Sequence, residues 1–356
     1  MLADLCKKRN LMPVWENDIT WEERRKQILD LLQKEEYGYF PEECDNISFE
    51  VVTEYNNFCA GKVNFKHIKV TAYWGERAFS FPIYASIPKT PGMHPFFVHI
   101  NFRNYVPDMY LPIEEICDRG FAVISFCYQD VTIDDKALYP MGRSNDMDLQ
   151  EFLFANKKRK PDDCGKIALW AWAASRALDY AYTLDCLDLS RAAVVGHSRL
   201  GKTALLAGAL DTRFTCVISN DSGCSGAAIT RQKKGERVKD IVEVFSRWFC
   251  DNYQKYVDKE ELLPFDQHFL VAAIAPRKVY VASAIEDEWA DPVSEFLSCY
   301  AASEVYEKLG LKGFISSDRL PEAGEYFHEG NIGYHLRKGT HWLSREDWNL
   351  FMDFLK

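Results

Sequence analysis

Ala192-Ala193-Val194-Val195-Gly196-His197-Ser198-Arg199-Leu200-Gly201-Lys202-Thr203-Ala204-Leu205-Leu206-Ala207-Gly208-Ala209-Leu210 is the stretch from which the fold can be read. Its first four residues form a short apolar run of the kind that a buried parallel strand shows. From Ala204 the small and apolar residues read as a well-packed helix. A serine wedged between such a strand and such a helix, with glycines on both sides, has the layout of a nucleophile elbow. The turn admits no bulky neighbours, lifts the hydroxyl above the sheet edge, and aims the first helix amide at any oxyanion forming there. Leu200 stands where the common G-x-S-x-G pattern has its second glycine, and Gly201 follows one residue later.

Outward from this turn, strand-like and helix-like segments alternate. Val63 to Tyr73 and Phe79 to Ile87 flank Trp74-Gly75-Glu76-Arg77 as an antiparallel hairpin. His94 to Ile100 and Phe121 to Tyr128 read as buried strands, Lys166 to about Leu184 as a helix, and Thr215 to Ile218 and Val279 to Ala282 as strands again. A last short strand near Tyr334-His335-Leu336 precedes a closing helix from about Ser344. Thr20-Trp21-Glu22-Glu23 is a capping box for an early helix that ends at Gly38 and Pro41. This order predicts an α/β fold: a mostly parallel central sheet flanked by helices in three layers, with function at the strand C-termini. One domain over residues 1–356 is expected, with residues 1–60 as a helical extension packed on it.

Composition narrows the function. The 356 residues carry a net charge of −10, which argues against nucleic acid or an anionic membrane as partner. No apolar run is long enough to span a bilayer. No apolar region follows the basic Lys7-Lys8-Arg9, so no secretory signal is read there and a cytoplasmic location is expected. The 11 cysteines lack metal-type spacing, and Cys127, Cys216 and Cys299 lie in apolar runs as small core residues. No metal or organic cofactor is called for.

A serine needs a base, and the base needs a carboxylate to hold its tautomer. His341, in a glycine-bearing loop between the last strand and the closing helix, has the chain position of the base in α/β-hydrolases, where the order is Ser, acid, His. His268 is its rival, and His197 is an elbow packing residue. Two acids compete: Asp221 follows the Thr215–Ile218 strand, and Asp287 follows the next strand, the usual acid position. Lys202, one helical turn beyond Ser198, shares its face. Arg199 carries a fork of donors suited to an oxyanion.

Gly196-His197-Ser198-Arg199-Leu200-Gly201-Lys202 resembles the G-C-S-R-x-G-K elbow of the glucuronoyl esterases, carbohydrate esterase family 15. Asp221-Ser222-Gly223-Cys224-Ser225-Gly226-Ala227 is similar to that family's E-S-G-x-G-G-A segment. Pro264-Phe265-Asp266-Gln267-His268, Ala275-Pro276-Arg277 and Glu286-Asp287-Glu288-Trp289-Ala290-Asp291-Pro292 are similar to its bacterial members. The resemblance implies an α/β-hydrolase that cleaves esters of 4-O-methyl-glucuronic acid, with a small-molecule or oligosaccharide uronate ester as its partner. It implies Ser198 as nucleophile, His341 as base, Asp221 as the acid in that family's unusual place and Asp287 as a second or substitute acid. It further implies Arg199 at the oxyanion and Lys202, Glu236 and Trp289 around the uronate ring, with His268 counted among the substrate-binding residues. Two other functions fit the residues: an acetyl esterase for xylo-oligosaccharides on the same triad, and a sugar-binding protein without catalysis.

Overall fold

The apolar runs become strands in the computed structural model, which describes residues 1–16, 18–134, 148–155, 157–245 and 247–356. Ten strands are described: β1 (Asn46–Asn57), β2 (Val63–Trp74), β3 (Arg77–Pro88), β4 (His94–Asn101), β5 (Ala122–Cys127), β6 (Leu187–His197), β7 (Cys216–Asn220), β8 (Lys278–Ala284), β9 (Glu325–Phe327) and β10 (Ile332–Arg337). They form one sheet in the order β1-β2-β3-β5-β4-β6-β7-β8-β10-β9. The six from β5 to β10 are parallel to one another, whereas β1 to β3 and the short β9 run antiparallel at the two ends. Every residue of β4, β5 and β7 is buried, as a sheet covered on both faces requires.

Alternate residues of one strand serve different faces. Phe96, Val98 and Ile100 of β4, with Val194 of β6, join a large core with the helices Lys166–Ala181, Arg199–Leu210 and Pro292–Lys308. Phe97 of β4 and Ala193 and Val195 of β6 face the other way, into a smaller core under the helices Ile113–Asp118 and Arg345–Leu355. The layers are therefore helix, sheet, helix, and all six parallel strands deliver their C-terminal ends to one edge.

The N-terminal part departs from expectation. Thr20 does cap the helix Trp21–Leu32 with a full capping box, and Leu2, Trp21, Ile28 and Leu32 pack into the large core. But residues 46–57 are the edge strand β1, so the first 60 residues are not a purely helical extension. Only Ile47 and Phe49 of that strand are even partly covered, with Phe49 on Tyr180 at 5.4 Å between rings. Its remaining residues, Glu50 and Glu54 among them, are exposed and leave the edge charged, as unpaired strand edges usually are.

The helix Lys166–Ala181 lies almost wholly in the large core. Trp170 is fully buried, donates to the Thr132 carbonyl at 3.1 Å, and packs its ring 4.9 Å from Tyr128 and 6.4 Å from Trp248. We expect Trp170→Ala to lower unfolding stability by about 3–5 kcal/mol, as removal of a buried aromatic does. Val51→Thr on the open edge should stay within about 0.5 kcal/mol. Urea denaturation of both variants checks this, and equal midpoints would contradict it.

Candidate active site

Strand β6 ends at His197, and the chain turns at Ser198 with φ 58° and ψ −128° before entering the helix Arg199–Leu210. Such a conformation costs of order 1–3 kcal/mol unless its surroundings dictate it. Two glycines do so. A Cβ on Gly196 would meet the Leu200 carbonyl at 2.0 Å, and one on Gly201 would lie 3.0 Å from Ser219 Oγ and Ser222 Cβ. The close approach thus falls one residue later than in G-x-S-x-G, which frees Leu200 to be buried in the core. Ser198 N–H donates to the Asn220 carbonyl at 2.9 Å, tying the elbow to the end of β7. The Arg199 amide, at the first helical position, has no carbonyl within its helix to donate to.

His341 comes from the loop after β10 and is 43% exposed, where a substrate can reach it. Its Nδ1 is 2.6 Å from Asp287 Oδ2, which leaves Nε2 as the ring's other functional nitrogen. The ring lies 4.5 Å from that of His197, the residue before Ser198. His197 itself is buried, bonded through Nδ1 to Asn220 Oδ1 at 2.6 Å and packed against Tyr110 and Phe102. Burial, with His341 adjacent, lowers the His197 pKa to about 3, so this ring stays neutral. Imidazole and carboxylate therefore meet at one corner of the sheet edge, beside the residue that precedes the serine.

The two acids divide. Burial pushes the Asp287 carboxyl up, but the hydrogen bond and charge of His341 outweigh it and hold the group below its ordinary range. Asp221 does not orient the ring: its Oδ2 accepts from Arg337 Nη2 at 3.1 Å and from the Trp342 amide at 3.3 Å. Burial and the neighbouring Glu295 raise Asp221 well above the usual carboxylate range, against the pull of Arg337. One oxygen of each acid and one nitrogen of His341 lie within 4.8 Å of one another, a spacing a cation could use. Both carboxylates are already engaged, by His341 and by Arg337.

The other expected site residues, with one exception, make their contacts along the elbow helix or in the loop after β8. Arg199 Nη1 pairs with the buried Asp134, and its guanidinium lies over Trp248 at 4.7 Å, Phe245 at 5.2 Å and Phe102 at 5.7 Å. Lys202 is buried and donates to the Ser222 carbonyl at 2.6 Å and to Glu236 Oε2 at 3.2 Å. A buried ammonium requires such a partner. The Trp289 carbonyl accepts from the Glu236 amide and from Lys233 Nζ, each at 2.9 Å, while its indole is 56% exposed. Beside it opens a cavity of about 460 Å³, lined by Trp289, Glu288, Lys234, Ile285 and Leu320 among others. His268 is the exception, and both expectations for it are corrected. Its ring is enclosed, with Nε2 2.9 Å from the Met12 carbonyl, so it supports the N-terminal segment instead of facing the elbow.

Sequence reading had not singled out Arg337, Asp134, Asn220 or Glu295. None has a motif; each is a polar residue whose role appears only once distant segments meet. Glu295, fully buried on the helix Pro292–Lys308, accepts from the Gly223 amide at 2.9 Å, from Ser222 Oγ at 3.3 Å and from Ser283 Oγ at 2.6 Å. It thereby joins the loop after β7 to the end of β8.

A family model described as glucuronyl esterase of fungi matches residues 69–310. A carbohydrate esterase, MZ0003, from an unknown prokaryotic organism is 43% identical over 244 residues, covering 68% of this chain and 54% of that protein. A 4-O-methyl-glucuronoyl methylesterase of Podospora anserina is 28% identical over 303 residues, covering 82% and 56%. The chain thus spans about half the length of these curated relatives. Among solved structures, a glucuronoyl esterase from Solibacter usitatus superposes with a TM-score of 0.84 at 32% identity, covering 94% of this chain and 91% of that one. A carbohydrate esterase family 15 glucuronoyl esterase from Teredinibacter turnerae gives 0.85 at 26% identity, covering 100% and 89%.

Burial raises the Glu295 pKa from 4.5 to about 7, partly opposed by the Ser283 bond. A carboxyl raised in the folded state contributes stability that is complete below its unfolded pKa and is lost as pH rises through the folded one. Wild type should therefore lose on the order of 3 kcal/mol between pH 4.5 and 7 through this group. Glu295→Gln, which keeps the shape, should flatten that part of the stability profile. Parallel profiles for the two proteins would contradict the assignment.

Proposed function

Because the chain belongs to the glucuronoyl esterase family, carbohydrate esterase family 15, we propose that it hydrolyses esters of 4-O-methyl-glucuronic acid through an acyl-enzyme on Ser198. The observation that carries this reading is the 2.6 Å bond between Asp287 and His341, made where the His341 ring lies 4.5 Å from that of the residue preceding the serine. A binding protein has no need of an imidazole held in one tautomer beside a strained serine.

In the proposed reaction His341 Nε2 takes the Ser198 proton as Oγ attacks the ester carbonyl. Asp287, ionised and bonded to Nδ1, stabilises the imidazolium that forms. The oxyanion meets the Arg199 amide at the helix N-terminus, with the Arg199 guanidinium on its aromatic shelf adding a second donor. The imidazolium returns its proton to the departing alcohol. Water, deprotonated by the same ring, then attacks the acyl-enzyme, and Ser198 leaves with the proton. Lys202 and Glu236 form a polar floor one helical turn from the nucleophile, suited to sugar hydroxyls. The exposed indole of Trp289 offers a face on which a pyranose ring can lie.

Hydrolysis of methyl and benzyl glucuronate, with aryl acetates as controls, tests the proposal. Ser198→Ala should abolish turnover of the glucuronates. Asp287→Asn, which leaves the imidazole in the wrong tautomer, should lower kcat by about ten-thousandfold, whereas Asp221→Asn should cost far less. Arg199→Ala should cost about 3 kcal/mol, near a hundredfold in rate. Aryl acetate cleavage without glucuronate cleavage would instead favour an acetyl esterase.

A further inference from the structure

Arg337 closes strand β10 just before the loop that carries His341, and it is 4% exposed. All three guanidinium nitrogens are used. Nε donates to both oxygens of Asp347 at 3.1 Å, Nη1 to the Lys338 carbonyl at 3.0 Å, and Nη2 to Asp221 Oδ2 at 3.1 Å and to the Trp342 carbonyl. One side chain therefore holds the His341 loop at both ends, at residues 338 and 342. Asp221 completes the loop's second anchor by accepting the Trp342 amide at 3.3 Å.

The clamp is itself backed by buried groups. Asp347, fully buried, also accepts from the Ser344 amide and hydroxyl at 2.6 Å each, which fixes the start of the closing helix. His335 Nε2 lies 2.7 Å from Asp347 Oδ1, and its Nδ1 lies 3.0 Å from Tyr280 OH, which is bonded in turn to His328 Nε2 at 2.8 Å. A polar chain thus runs from His328 to the corner where Asp221, Asp287 and His341 meet. Buried ion pairs are poor stabilisers, since well-packed apolar residues often replace them without loss. What a guanidinium supplies here is a planar fork that reaches five acceptor atoms on four residues in fixed directions, which an ammonium cannot reproduce.

We propose that Arg337 is a positioning residue for catalysis: it sets the placement of the His341 imidazole over Ser198, with Asp221 acting as part of this clamp and Asp287 alone orienting the ring. The inference rests on the esterase reading of Ser198 and His341. A base displaced by about 1 Å loses rate steeply even when substrate binding is untouched.

Arg337→Lys and Arg337→Met test it through kcat and KM for methyl glucuronate and through proton NMR. The low-field resonance of the His341–Asp287 bond is the spectroscopic signature, assigned by its absence in His341→Asn. Both variants should lose roughly tenfold to a hundredfold in kcat, with KM within about twofold, and the low-field resonance should weaken or vanish. Variants that fold and retain both kcat and the resonance would overturn the proposal. If neither variant folds, amide exchange in wild type decides: a slowly exchanging Trp342 amide supports the clamp, and exchange at the rate of an open loop overturns it. A wild type that leaves methyl glucuronate intact would refute the esterase reading, while the resonance and exchange measurements would still judge the clamp.

Discussion

A serine held at φ 58° and ψ −128° between a strand and a helix is the constraint on which the rest of the structure depends. Left alone, that backbone would relax, and the hydroxyl would fall back against the sheet. It is kept in place by contacts that admit no slack: a glycine facing the Leu200 carbonyl, a second glycine against the turn after β7, and the amide of the serine on the Asn220 carbonyl. These contacts require β6 and β7 to be neighbours in register, which the buried parallel sheet ensures. The helix that starts at the elbow is in turn seated on the large core. The local strain is thus offset by global packing, as is usual where a backbone outlier marks a functional site.

The second constraint is electrostatic. Two aspartates at the ends of neighbouring strands reach one small buried corner, where two negative charges would repel in a medium that screens them weakly. The structure separates their environments. Asp287 gains the imidazole and stays ionised; Asp221 is deeper, surrounded by Glu295, Asp347 and Asp287, and is driven toward its neutral form despite Arg337. Divergent environments of this kind assign different roles to chemically identical groups.

Much of this was legible in the chain. The elbow, the alternation of strands and helices, and the loop before the closing helix follow from periodicity and from the positions of a few glycines. The elbow helix begins at Arg199 and the closing helix at Arg345, with Ser344 and Asp347 as its capping box. Other elements gave no comparable signal. β1 is an edge strand with almost no buried face, so it shows no alternation. The helix Pro292–Lys308 is buried on several sides and therefore lacks a single apolar stripe. The choice between Asp221 and Asp287 was beyond sequence reasoning because it depends on Arg337, more than a hundred positions from Asp221 and unremarkable in its own neighbourhood. His268 misled for the opposite reason: it sits in a distinctive segment, but its ring is spent on the Met12 carbonyl.

Both cations on the first turn of the elbow helix arrive already matched, Arg199 by Asp134 and Lys202 by Glu236. The ester of the proposed reaction is uncharged and would meet these donors with no net electrostatic demand. In the proposed reaction the cleaved ring carries a free carboxylate, and the Asp287 carboxyl, held below its ordinary range, supplies a second negative charge at the site. The new anion meets two elbow cations that each already hold a carboxylate. Under the proposed activity, the charge that hydrolysis creates thus works against retention of the uronate product.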